Sequence, residues 1–208
     1  MNIKLKNVRL GSKPNLFVPE PYNKNKPTEN LSYNARILIK KDDAASMKIV
    51  NDAIVETMKA EFGDKAKAML TKFRDDKKQF FIKDGDTYLN TKGDPTCPGY
   101  YVIGARRRVD DGKPGVYDNK PGADGKPAVL TSLGRIYGGC MVNAKLDIWV
   151  QNTPDHQGVR CALLGVQYAG EGQAFGGSRP ASAEDFEAVA SVEEAATATD
   201  DNFDDIAF

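Results

Sequence analysis

The chain has 208 residues, 40% of them hydrophobic, with 29 basic and 29 acidic side chains, three cysteines and one histidine. That length suits one folded domain with a sizeable core; no apolar run approaches the roughly 20 residues that span a bilayer, and MNIKLKNVRL alternates where a leader would be continuously apolar, so a soluble, unsecreted protein is expected. Cys97, Cys140 and Cys161 are odd in number and lack C-x-x-C spacing, which speaks against a disulfide framework or a zinc site, and the lone His156 speaks against histidine acid–base catalysis.

The neutral total hides a division. Residues 181–208 hold Glu184, Asp185, Glu187, Glu193, Glu194, Asp200, Asp201, Asp204 and Asp205 and no Lys or Arg, so the first 180 residues carry 29 bases against 20 acids, a surplus of nine. A basic body with an acidic, aromatic-ended tail calls for a polyanionic partner, such as nucleic acid, that the tail can imitate.

In chain order, Ile3, Leu5, Val8 and Leu10 alternate with Lys4, Lys6 and Arg9, a half-buried strand with a basic polar face and an irregularity at Asn7. Residues 11–33, with Pro14, Pro19, Pro21 and Pro27, read as a loop with extended pieces. Residues 34–40 place Ala35, Ile37 and Ile39 on one face of a second strand. Asp42 or Asp43 caps a helix to about Glu61, because Met47, Val50, Ile54 and Met58 recur at helical spacing and Gly63 stops it; a shorter helix carrying Ala66, Met69, Leu70 and Phe73 follows, and the pair plugs or flanks a barrel.

Residues 74–88 read as a strand edge leading into a turn at Asp84–Asp86, with a contact loop as the alternative. A strand from Tyr100 runs into Arg106, Arg107 and Arg108, the densest positive cluster in the chain. Residues 110–128 are turn chemistry almost throughout, a long mobile surface loop carrying Lys113, Lys120 and Lys126. The most legible strand follows: Cys140, Val142, Ala144, Leu146, Ile148 and Val150 point one way, Asn143, Lys145, Asp147 and Trp149 the other, and residues 159–170 return as the second arm of a long hairpin. After Gly170 a flexible linker leads to the tail.

Sequence-independent binding of a single strand needs cations that track phosphates and flat side chains on which bases stack. Trp149 sits on the polar face of its strand, where stacking and packing at the barrel end are both open. By alternation one of Tyr100 and Tyr101 is buried. Arg106, Arg107 and Arg108 are candidate phosphate ligands, with Arg135, Lys145 and Arg160 nearby; Tyr137, Phe80 and Lys78 complete the candidate set. Asp84-Gly85-Asp86, Asp110-Asp111-Gly112 and Asp124-Gly125 read as turns in preference to metal ligands, and Ser or Cys nucleophiles lack a base. No catalytic residue, metal or cofactor is expected.

Residues 137–186 carry a Gly-Gly-Cys before a long strand with an aromatic in it, Gly-Val-x-Cys opening the return strand, and Phe-Gly-Gly-x-Arg before Asp-Phe. This pattern resembles a family of tailed-bacteriophage single-stranded DNA-binding proteins, and the strand at 35–41 with its helix and the Lys-Asp-Gly-Asp turn at 83–86 extend the resemblance over most of the chain. It implies an OB-fold, a setting in phage DNA replication or recombination, and no cofactor. The acidic end with Phe208 is similar to tails of other bacterial and phage single-strand binders that recruit replication proteins, with Ile-Ala-Phe where bacterial binders carry a Pro before the Phe.

The expectation is a mainly β protein with a helical insertion: an OB-fold-like antiparallel barrel over residues 1–172, then a flexible linker and disordered acidic tail over 173–208. Its expected function is sequence-independent binding of single-stranded DNA, protecting the strand and recruiting replication proteins through Asp200, Asp201, Asp204, Asp205 and Phe208. Expected partners are single-stranded DNA, duplex DNA more weakly, phage or host replication proteins and a second copy of the chain, in the cytoplasm of an infected bacterium with no membrane contact. A metal-dependent nuclease using the Asp pairs and an OB-type protein-interaction module are the alternatives. A flexible tail of this length reaches about 30 Å, far enough to compete with DNA for the body, and Ser182 with Asp185 can cap a short helix in it.

Overall fold

A computed structural model describes residues 1–21, 25–90, 92–93 and 95–175. In chain order these form β1 (Asn2–Leu10), β2 (Asn15–Pro21), β3 (Leu31–Lys40), α1 (Ala44–Phe62), α2 (Ala66–Asp75), β4 (Ile82–Asp84), β5 (Tyr100–Arg108), β6 (Gly115–Pro121), β7 (Pro127–Val129), β8 (Met141–Asn152) and β9 (Gln157–Gly170). β1 pairs antiparallel with β3 and β8, β3 with β5, and β8 with β9. The ring closes where Arg106 of β5 lies parallel beside Ala162 of β9. The order β1–β3–β5–β9–β8 is an OB-type connectivity, distorted because a single pair makes the closure. β2, β4 and the pair β6 and β7 extend this ring, with β6 lying between β9 and β7.

Parity explains the first strand. Ile3 and Leu5 face the core at odd positions and Val8 and Leu10 at even ones, which a regular strand forbids. A bulge between Leu5 and Val8, with Asn7 at φ +52°, inserts the extra residue and returns Arg9 to the outer side. β8 needs no such device: Val142, Ala144, Leu146 and Ile148 are all fully buried, and the alternation legible in the sequence is the alternation in the fold.

Asp43 caps α1, its Oδ1 accepting from the Ser46 N–H at 2.9 Å, and Gly63, at φ +51°, ends it. Val50, Ala53, Ile54 and Met58 join the barrel's own core, and α1 packs against β1 and β8. All three cysteines are free thiols, Cys140 and Cys161 buried and Cys97 half-buried.

Residues 110–128 differ from expectation. They are a hairpin, β6 and β7, and β6 runs parallel along β9 with Gly115 opposite Gly165, Val116 opposite Val166 and Tyr117 opposite Gln167. Local turn chemistry dominates this stretch, but the backbone of a distant strand supplies its ladder. The pairing needs a glycine at 165, where a Cβ would stand 2.7 Å from the Gly115 carbonyl oxygen. The proline-rich 11–33 likewise contains β2, an edge strand paired to β3 at Asn15, Glu20 and Pro21, where proline is tolerated. Residues 171–175, expected as the start of a flexible linker, pack back onto the barrel beside Gly138 and Gly139.

Candidate nucleic-acid interface

The outward faces of β1, β8 and β9 form one surface. Asn2 and Lys4 stand opposite Asp147 and Lys145, and Lys145 stands opposite Gly165. A second register shift, between Lys145 and Leu146, pushes Leu164 outward, and the β6–β7 hairpin rises beside it as a wall. Between wall and sheet lies a groove of about 740 Å³. Its sides carry the cations Lys4, Lys126 and Lys145, the apolar surfaces of Tyr117, Val129 and Leu164, the amides of Asn143 and Gln167, and one acid, Asp124.

Tyr117 is 39% exposed in this groove and rests on Gly115, where a Cβ would come within 2.7 Å of the ring. The glycine therefore sets where the ring lies. The amides are largely occupied with one another: Asn143 Nδ2 donates to Gln167 Oε1 at 3.1 Å, Gln167 Nε2 to the Asp118 carbonyl at 3.3 Å, and Asn143 Oδ1 accepts the Asn7 N–H at 3.0 Å. Lys4, Lys6, Lys126 and Lys145 have no acidic partner among the described residues. Asp147, between Lys145 and Trp149 on β8, is ion-paired with the N-terminal ammonium at 2.8 Å.

The residues singled out in the sequence separate into groups. Trp149 is 41% exposed on the outward face of β8, cross-strand from Arg160, so the ring is available and not a core plug. Lys145 lines the groove, and Arg106 stands on the outward face of β5 beside Ala162, in the row that continues to Asp147. These three share one wall of the barrel. Arg160 serves the fold, donating to Gln151 Oε1 and to the Lys78 carbonyl, both at 2.9 Å. Lys78 is exposed at that junction, while Phe80 bridges to Val159, leans on Phe81 and lies under the Arg74 guanidinium.

The remaining candidates lie elsewhere. Arg107 donates to the Gly112 carbonyl at 2.8 Å and to that of Asp111, and Arg108 pairs with Asp110 at 2.9 Å, so both are tied to the turn after β5. Arg135 lies 4.8 Å from the Tyr168 ring, with its guanidinium 3.9 Å from Asp118. The Tyr137 hydroxyl donates to Glu171 Oε2 at 2.7 Å, and burial with Glu171 beside them pushes the Tyr137 and Tyr168 phenols upward. Tyr100 and Tyr101 are both half-buried, where alternation predicted one buried; Tyr100 lies against Arg9, and Tyr101 under the Lys41 ammonium. Asp200, Asp201, Asp204, Asp205 and Phe208 lie outside the described residues.

Asp84 and Asp86, the carboxylate pair of the nuclease alternative, close on Lys41: its ammonium is 2.7 Å from Asp84 Oδ1 and 2.5 Å from Asp86 Oδ2. The Lys41 contact holds both carboxyls below their ordinary range and the ammonium above its own. Among the described residues no group of three or more His, Cys, Asp or Glu side chains could hold a metal, and no helix is long and apolar enough to cross a membrane.

Lys4, Lys6, Lys126, Tyr117 and Gln167 were absent from the sequence-derived candidate set. The basic polar face of residues 4–9 was the available signal for the first two. Tyr117 carried none, because its strand was illegible.

A barrel of OB type with a lysine-bordered groove and exposed rings on its outer strands is of the class that can hold an extended polyanionic chain. The family is specific. The chain belongs to that of the Enterobacter phage Enc34 ssDNA-binding protein, whose model matches residues 1–199. The structure of the single-stranded DNA-binding protein from bacteriophage Enc34 in complex with ssDNA is similar at 28% identity and a TM-score of 0.61, over 84% of this chain and 89% of that one. Protein p50 of Acyrthosiphon pisum secondary endosymbiont phage 1 is 28% identical over 93% of this chain and 97% of its own length. The gp2.5 single-stranded DNA-binding protein of bacteriophage T7 shares the fold at 10% identity and a TM-score of 0.54, over 86% of this chain and 97% of that one.

Proposed function

We propose that this protein binds single-stranded DNA without sequence preference, laying the strand along the outward face of β1, β8 and β9. Bases stack on Tyr117 and Trp149, and phosphates lie against Lys4, Lys6, Lys126 and Lys145. The observation that carries this reading is the groove itself: lysines without acidic partners among the described residues border an exposed ring, in a member of the Enc34 ssDNA-binding family. The Asn143 and Gln167 amides are engaged with each other and with the Asp118 carbonyl, which favours stacking and charge over sequence recognition. From Asn143 to Trp149 the face extends about 20 Å along β8, and the hairpin wall suits one strand better than a duplex.

The setting is phage DNA replication in the infected cell, where the protein holds the strand and performs no chemistry on it. The acidic terminus, with Asp200, Asp201, Asp204, Asp205 and Phe208, binds replication proteins and competes with DNA for the lysines at low salt. Trp149 is the only tryptophan, so its fluorescence reports the interface directly. Titrating the full chain with oligothymidylate should quench that emission, with log affinity falling against log salt at a slope of about −3 for four lysines at about 0.7 each. A slope near zero overturns the groove reading. Changing the four tail aspartates to asparagine should tighten DNA binding at low salt and abolish capture of the phage polymerase; unchanged DNA affinity removes the competition.

A further inference from the structure

The chain that leaves β9 is fastened before it departs. Tyr168 and Tyr137 donate to the two oxygens of Glu171 at 2.6 and 2.7 Å, the Gly172 N–H donates to the Tyr137 oxygen at 3.1 Å, and the Phe175 N–H donates to the Gly138 carbonyl at 3.0 Å. The contact is backbone on backbone: a Cβ on Gly172 would stand 2.1 Å from the Gly139 carbonyl oxygen. This strap ends on Arg9. The Arg9 guanidinium donates to the Gln173 carbonyl and lies 4.1 Å from the Phe175 ring and 5.7 Å from the Tyr100 ring.

Beside the strap opens a second pocket, of about 400 Å³, whose lining includes Asn7, Arg9, Lys40, Asp43 and Tyr100. It lies further along β1 and β8 from the groove. Asn143 lines the groove and Asn7 lines the pocket, and the two are joined by the Asn7 N–H to Asn143 Oδ1 hydrogen bond, with exposed Lys6 adjacent. The Asn7 bulge is what brings Arg9 onto this side of β1.

We propose that the pocket is a second nucleotide subsite, in which a base of the strand leaving the groove stacks on the Arg9 guanidinium in place of the Phe175 ring and Lys40 takes the adjoining phosphate. The proposal rests on the groove reading above and deepens it. The volume falls in the range of small-ligand sites. A guanidinium faced by aromatic rings accepts a base as readily as a phenyl group, because both present a π-face to the cation. The lining carries one carboxylate, Asp43, held to its helix by the Ser46 N–H, against the two cations Arg9 and Lys40, so its charge stays net positive. A base that takes this face of Arg9 displaces the Phe175 ring from it.

The test uses the full chain and oligothymidylates of increasing length. The wild type should gain affinity once the oligonucleotide is long enough to pass Asn7. Phe175→Ala, which removes the competitor, should tighten binding of the long oligonucleotides about 3- to 10-fold, as expected for loss of one cation–π contact, without tightening the short ones. Arg9→Lys keeps the charge and loses the plane, and should remove most of the gain with length. If both variants match the wild type at every length, the subsite is overturned. A wild type that binds short oligonucleotides and gains nothing with length overturns the subsite and leaves the groove standing; one that binds no oligonucleotide overturns both. Should Phe175→Ala unfold, Arg9→Lys alone decides.

Discussion

Arg107 and Arg108 belong to the densest positive cluster in the sequence, whereas Lys4, Lys6, Lys126 and Lys145 are scattered over three distant segments. Folding inverts their availability. The turn after β5 folds back on the arginines, which donate to the Asp111 and Gly112 carbonyls and the Asp110 carboxylate. The lysines come to one surface from β1, β8 and the β6–β7 hairpin, and the acid between Lys145 and Trp149 is paired with the N-terminus. Here Arg107 and Arg108 meet counter-groups in the turn that follows them, whereas the lysines gathered by pairing of distant strands have no acidic partner among the described residues.

The comparison is tested hardest at Tyr117, the ring the lysines surround. Tyr117→Ala should weaken oligothymidylate binding about 5- to 150-fold, from a stacking contribution of about 1–3 kcal/mol, while moving the melting temperature only about 3 °C. Affinity within twofold of wild type would remove the ring from the interface. Next in size is the charge: Lys4→Gln with Lys145→Gln should cost about tenfold at low salt and flatten the log–log salt slope by about 1.4. If the slope is unaltered, the lysines touch no phosphate.

The arginine side of the comparison predicts the opposite pattern. Arg107→Gln should lower stability by about 1 kcal/mol, through carbonyls left without their donor, and change DNA affinity less than twofold. A selective loss of DNA binding at intact stability would return the arginines to the interface. The smallest effect is at Lys41. Asp84 and Asp86 have depressed folded pKa values, so their contribution to stability is present above the unfolded carboxylate value of about 3.9 and disappears as the pH falls through the folded values. The raised Lys41 contributes below its unfolded value of about 10.4 and loses that contribution as the pH rises through its folded value. Urea midpoints taken from pH 5 to pH 2 should therefore fall less steeply in Lys41→Met than in the wild type; parallel curves would show that the clasp adds nothing.

How much was legible depended on range. The alternation of β8, the Asn7 irregularity, the Asp43 cap and the Gly63 stop follow from local sterics and burial, and each stands in the structure where the residues place it. β6 was not legible, because Gly115, Asp118 and Pro121 carry turn signals and the ladder that overrides them belongs to β9. Tyr117, Lys126 and the groove wall were hidden with it. Tyr137, Arg135 and Arg160 show the converse: residue type suggested an interface, and partners from elsewhere in the chain tie them into the fold.

The sequence by itself determined the basic body and acidic end, the inward and outward faces of β8, and the kinship visible in residues 137–186, because composition and period-2 burial are properties of consecutive residues. Tertiary structure alone decided which cations remain available, where a ring stands exposed among them, and that residues 171–175 close over Arg9. Those outcomes depend on which distant backbones pair and on which acids reach which bases, and neither is written in any local stretch of the chain.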